Sequence, residues 1–138
     1  MISHVNAATL QFDLNNEFSG ADTPSGTPIA TIDNDDSLSN GGLLNDATNS
    51  VLLRMDINDL SGGEGILKWF FNFDQTDAEN LSFTHVSGAA ASYFQAGSNC
   101  SGQNCKADGD GTNDWVFFFD KDVFSIDGTY TSSVYEIS

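Results

Sequence analysis

The run Asp108-Gly109-Asp110-Gly111-Thr112-Asn113-Asp114 sets carboxylates at its first, third and seventh positions, with glycines between them. Calcium takes roughly six to eight oxygen ligands at about 2.3–2.6 Å, and a short loop supplies them when carboxylates alternate with residues that let the backbone curl. Asp108, Asp110 and Asp114, with a backbone carbonyl near Thr112, are therefore candidate ligands for one structural Ca²⁺. The pattern stops short of an EF-hand. The twelfth position from Asp108 is Phe119 where a bidentate Glu would stand, and Trp115-Val116-Phe117-Phe118-Phe119 has the composition of a strand. The same residues also suit a solvated Asp-Gly turn between two strands.

Two cysteines precede this loop. Cys100 and Cys105 are separated by Ser101-Gly102-Gln103-Asn104, a spacing at which a loop can fold back and close a disulfide. A disulfide implies an oxidising compartment; two free thiols in a cytosolic protein is the other reading. Zinc is poorly served, because the histidines, His4 and His85, lie far from the cysteines without paired spacing.

Around these candidates the chain is strongly acidic. It has 20 Asp+Glu against 4 Lys+Arg, a net charge of −16, and 16 of the acids are Asp, which favours turns and hard cations over helices. A nucleic-acid partner is excluded on charge, since phosphates would be repelled. Bound cations or a salty medium would relieve the self-repulsion. At 138 residues the chain fits one domain. Residues 1–8, with Val5-Asn6-Ala7 in the small-residue pattern of a signal-peptidase site, read as a signal-peptide remnant or an added chain end, and residues 9–138 as a single β-sandwich domain. No stretch reaches the roughly 18 apolar residues of a membrane-spanning helix.

Catalytic constellations are hard to find. His85 sits between Thr84 and Val86 in an alternating strand with no nucleophile motif beside it. Among 20 acids, pairs of the kind a glycosidase uses arise by chance. Trp69 and Trp115 could stack on sugar rings, yet both lie in strongly apolar runs that suit a core. The expectation is a protein that is not an enzyme.

The elements that must position these residues are strands. Leu10, Phe12 and Leu14 alternate with Gln11 and Asp13, and Ile29 to Ile32 follows as a short strand. Val51, Leu53, Met55 and Ile57 alternate with Leu52, Arg54 and Asp56, which predicts a strand with one buried face. Ile66 to Phe73 is an apolar run suited to a central strand packed on both sides. Leu81 to Val86, Ala91 to Gln95, Trp115 to Phe119 and Ser132 to Ile137 complete the set, and Asp77 to Asn80 is the one place for a helical turn. About eight strands predict an all-β, antiparallel two-sheet β-sandwich or jelly roll. The acidic, polar stretch from Asp33 to Asn49 is long for a bare loop.

Strand by strand, the chain resembles the PEP-CTERM group of bacterial secreted proteins, in a recurring domain of that group. The matching stretches are Ala8-Thr9-Leu10-Gln11-Phe12-Asp13-Leu14 with Phe18-Ser19-Gly20, Ala30-Thr31-Ile32-Asp33, and Ser50-Val51-Leu52-Leu53-Arg54-Met55-Asp56. Further matches are Lys68-Trp69-Phe70-Phe71-Asn72-Phe73-Asp74, Leu81-Ser82-Phe83-Thr84, Lys106-Ala107-Asp108-Gly109-Asp110-Gly111 with Asp114, and Ser133-Val134-Tyr135-Glu136-Ile137. The Pro-Glu-Pro tripeptide, apolar segment and basic tail that name the group are not in this sequence, nor does the cysteine-containing segment belong to its common pattern. The resemblance implies an extracellular or cell-surface protein linked to exopolysaccharide and biofilm matrix, and brings no catalytic residues with it. Two kinds of partner are expected: other copies of the chain, in a filament or oligomer joined at strand edges, or an extracellular polysaccharide bound with the help of calcium.

Overall fold

The computed structural model describes residues 9–13, 26–33, 50–71, 81–96, 115–120 and 122–138. Among these residues eight strands run in chain order: β1 (Thr9–Asp13), β2 (Ile29–Asp33), β3 (Val51–Asp56), β4 (Lys68–Phe71), β5 (Phe83–Gly88), β6 (Tyr93–Ala96), β7 (Trp115–Phe118) and β8 (Ser132–Ile137). Every strand pairing is antiparallel. Among the described strands, one sheet has five in the order β1-β2-β3-β8-β5, and the other has three in the order β4-β7-β6. The expected all-β, two-sheet architecture is thus what the chain forms, and among the described residues there is no helix. The helical turn expected at Asp77 to Asn80 lies outside the described residues.

The alternation in the sequence is what lets each sheet bury a face. On β3, Leu53 and Met55 face inward with no exposed surface, and on β8 Tyr135 and Ile137 do the same at 7% and 5% exposure. From the other sheet come Trp69 of β4 and Trp115 and Phe117 of β7, and all of these side chains form one continuous core. Phe117 is at its centre. Its ring lies 4.9 Å from those of Phe94 and Tyr135 and 5.7 Å from that of Phe83, so aromatic edges and faces from both sheets meet there.

Two sequence expectations change in three dimensions. The run Ile66 to Phe73, expected as a central strand, contributes β4, which has only β7 as a neighbour among the described strands. The central strand of that sheet is β7, where Trp115, Val116 and Phe117 are all buried. Lys68 at the head of β4 is the physical marker: a charged residue opening an apolar run is a common feature of an edge. Similarly, β3 was expected to bury one face, yet Leu52 on the opposite face is fully buried with Val134 and Val86 around it.

The connections between strands are pinned by specific backbone groups. At the end of β5, Gly88 has φ of 77°, a left-handed value that glycine adopts without strain, and the next N–H, that of Ala89, donates to the Ser132 carbonyl at 2.8 Å. The Ser133 hydroxyl donates to the Ala89 carbonyl at 2.7 Å, which satisfies a buried polar pair at the same corner. Asp56 closes β3 in both directions: Arg54 donates to its Oδ2 at 2.8 Å and the Asn58 N–H to its Oδ1 at 2.9 Å.

Candidate functional site

Cys100, Cys105, Asp108, Asp110, Thr112 and Asp114 all lie outside the described residues. The fold does fix where their segment leaves and rejoins the sheet. Residues 97–114 connect β6 to β7, which are neighbours, and Ala96 at the end of β6 is in register with Trp115 at the start of β7. The two ends of that loop are therefore held side by side, at the roughly 4.5–5.5 Å Cα separation of opposed antiparallel residues. Closing so long a loop costs chain entropy that a disulfide or a bound ion inside it would offset. Among the described residues, no cluster of three or more His, Cys, Asp and Glu side chains is arranged to hold a metal.

The sites that the described residues build are surfaces. The first is the β1 edge of the five-stranded sheet. One row crosses that sheet in register, Leu10-Ile32-Leu53-Tyr135-His85, from β1 to β5. Leu53 is fully buried and Tyr135 nearly so, Ile32 is half-buried, and Leu10 is 59% exposed. Burial falls off at β1: Ala30 and Ile32 of β2 still pack in the main core, and Leu10 beyond them is exposed. Leu10, which shares a strand face with Phe12 and Leu14 in the sequence pattern, is the most exposed large apolar side chain among the described residues.

The second surface is the outer face of the three-stranded sheet. Lys68, Phe118 and Tyr93 are cross-strand neighbours on β4, β7 and β6. The Lys68 ammonium sits 5.3 Å from the centroid of the Phe118 ring, and the Tyr93 ring lies 5.4 Å from it on the other side. Tyr93 is 54% exposed. Phe70 and Phe118 pack on the fully buried Val116 and form a small apolar cluster on this face, separate from the main core. The sequence had drawn attention to the tryptophans instead. Trp69 and Trp115 are 2% and 1% exposed and belong to the core, as their apolar surroundings implied. The signal for the outer aromatic row was alternation within Lys68-Trp69-Phe70-Phe71 and Trp115-Val116-Phe117-Phe118: each tryptophan points inward, so every second residue points out.

His85 is exposed on β5, with its ring 5.3 Å from that of Tyr135 in an edge-to-face contact. That places it at the far end of the Leu10 row. No helix among the described residues is long and apolar enough to cross a membrane.

Compared with known proteins, the chain matches no family model, no curated protein and no solved structure.

Proposed function

We propose that this chain is a non-catalytic extracellular or bacterial cell-surface matrix protein, stabilised by calcium in the 108–114 loop, whose copies associate through an exposed strand edge. The observation that carries this reading is β1, the outermost described strand of its sheet, which presents Leu10 at 59% exposure. Regular edge strands are templates for pairing with another chain, and proteins that must stay apart usually blunt them. The resemblance to PEP-CTERM secreted proteins and the spacing of Cys100 and Cys105 favour the same location outside the cell. The connectivity favours a jelly-roll type of sandwich: β3 pairs with β8 and, nested inside it, β4 pairs with β7, with β1 and β2 added at one side. Light scattering and negative-stain imaging, with and without millimolar calcium, test the proposal. Association that grows with calcium is the expected result, since calcium screens acidic faces and orders loops. A strictly monomeric chain in both conditions would overturn it.

A second reading, a calcium-dependent carbohydrate-binding module, is favoured by the Lys68-Phe118-Tyr93 row. An exposed aromatic ring beside a cation can stack on a sugar ring while the ammonium donates hydrogen bonds to its oxygens. Micromolar binding of a defined glycan by the monomer, lost in Tyr93→Ala, would move the assignment to this class.

A further inference from the structure

The two ends of the five-stranded sheet are not equivalent, and the difference decides how copies can meet. At one end β5 is irregular: its register with β8 shifts between His85 and Ser87, and it finishes at Gly88 with φ of 77°. A bulge twists an edge away from the straight ladder that an incoming strand needs. At the other end β1 is in unbroken register with β2 over all five residues, from Thr9↔Asp33 to Asp13↔Ile29. Head-to-tail growth would have to join β1 of one copy to β5 of the next, a regular edge to a bulged one. Joining β1 to β1 needs only the regular edge, used twice.

Building on the self-association reading, we propose that two copies pair through β1, antiparallel and related by a two-fold axis at Gln11, so that their sheets form one continuous sheet of ten strands. In this register Leu10 lies opposite Phe12 of the second copy, and Asp13 lies opposite Thr9. Charge supports that arrangement. Asp13 is the only charged residue of β1, and the two Asp13 residues end up four positions apart along the ladder, about 14 Å at roughly 3.4 Å per residue, well beyond the Debye length of about 8 Å at physiological salt. For a chain of net charge −16, a strand edge with a single, outlying carboxylate keeps the charge cost of self-contact low. The pairing also brings together the β1 ends of the two apolar rows, so that each exposed Leu10 gains a neighbour from the second copy. An isologous contact of this kind closes on itself and yields a dimer, where a heterologous one would yield a fibre.

Site-specific cross-linking distinguishes these outcomes. Opposed residues of an antiparallel pair have Cα atoms about 4.5–5.5 Å apart, within the range that a disulfide spans. In a Cys100→Ser, Cys105→Ser background, Gln11→Cys should oxidise to a single dimeric species with no higher bands, and His85→Cys should not cross-link. The unaltered chain should sediment as a concentration-dependent dimer, and Leu10→Lys, which needs no cysteine changes, should weaken that dimer at least tenfold while leaving the β-sheet circular dichroism intact. A ladder of multimers from Gln11→Cys combined with His85→Cys, with no dimer from Gln11→Cys alone, would overturn the two-fold pairing and leave self-association standing. A monomer at every concentration would overturn both.

Discussion

The Tyr135 hydroxyl accepts the main-chain N–H of Ala91 at 2.7 Å, a bond between β8 of the five-stranded sheet and the segment that leads into β6 of the other. The same ring packs 4.9 Å from Phe117 of β7, so one side chain joins the two sheets by both its polar and its apolar parts. Replacing it with phenylalanine keeps the packing and leaves the Ala91 N–H without its acceptor. Tyr135→Phe should therefore destabilise the protein by about 1–2 kcal/mol in urea or guanidinium unfolding.

Tyr135 also confers a pH dependence. Burial raises its pKa above the ordinary tyrosine value, and the Ala91 hydrogen bond, which favours the phenolate, only partly opposes this. A group that holds its proton more tightly when folded contributes stability that is complete below the unfolded-state pKa of about 10 and is lost as pH rises through the higher folded-state value. Alkaline unfolding above about pH 10 should thus be steeper in the wild type than in Tyr135→Phe. Equal slopes for the two proteins would contradict this assignment.

Two left-handed glycines should respond differently to a methyl group. Gly88 has φ of 77°, and a Cβ there would run into the Ser132 carbonyl oxygen on the neighbouring strand. Gly62 has φ of 63° with nothing within 4 Å of an added Cβ. Gly62→Ala should cost only the backbone term of about 1–2 kcal/mol, whereas Gly88→Ala adds overpacking and should cost about 3 kcal/mol or more. Chemical denaturation of the pair measures the difference directly.

The fold class was legible because both sheets are antiparallel and each strand has an inner and an outer side, which leaves a period of two in the sequence. The positions of β3 and β8 follow from that period almost residue for residue, and that of β7 from its apolar run. Periodicity carries no information about which strand lies beside which, so the apolar run at β4 reads as central where β7 takes that place among the described strands. Leu10 is exposed on the outermost described strand of its sheet, a placement that its own alternation does not reveal. The outer row of Lys68, Phe118 and Tyr93 joins residues from three separate strands, so only the register brings them together. The calcium and disulfide candidates, by contrast, are local in sequence and could be named from spacing alone.

Phe117 should prove the least replaceable side chain of the core. It is fully buried and in ring contact with Phe71, Phe83, Phe94, Phe119 and Tyr135. Phe117→Ala should lose about 3–5 kcal/mol, a large part of the roughly 5–15 kcal/mol by which domains of this size are stable. Tyr93→Ala, on the exposed outer face, is expected to change stability by less than about 1 kcal/mol. If the two variants melt together, the aromatic cluster is not the core of this fold.

Cys100 and Cys105 should be joined in protein made in an oxidising compartment. A thiol assay on denatured, unreduced chain is then expected to find no free sulfhydryl. Because the enclosed loop is short, reduction should lower stability by no more than about 2–3 kcal/mol. Two titratable thiols per chain would remove the disulfide and, with it, one support for placement outside the cell.

Calcium binding at Asp108, Asp110 and Asp114, with a carbonyl near Thr112, should raise the melting temperature, because these residues enter β7 directly and β7 is the central strand of its sheet. An ion that binds only the folded state adds RT ln(1 + [L]/Kd), about 2.7 kcal/mol at a hundredfold excess over Kd. For a domain of this size that corresponds to a shift of several degrees. The loop leaves the sheet between Ala96 and Trp115, which the β6–β7 pairing holds together in either state, so removing one carboxylate should leave the core folded. Asp110→Ala is thus expected to weaken calcium binding in isothermal titration and to abolish most of the calcium-dependent shift, while melting in chelator at the same temperature as the wild type. Equal melting of the wild type in millimolar calcium and in chelator would show that the 108–114 loop is an Asp-Gly turn and no more.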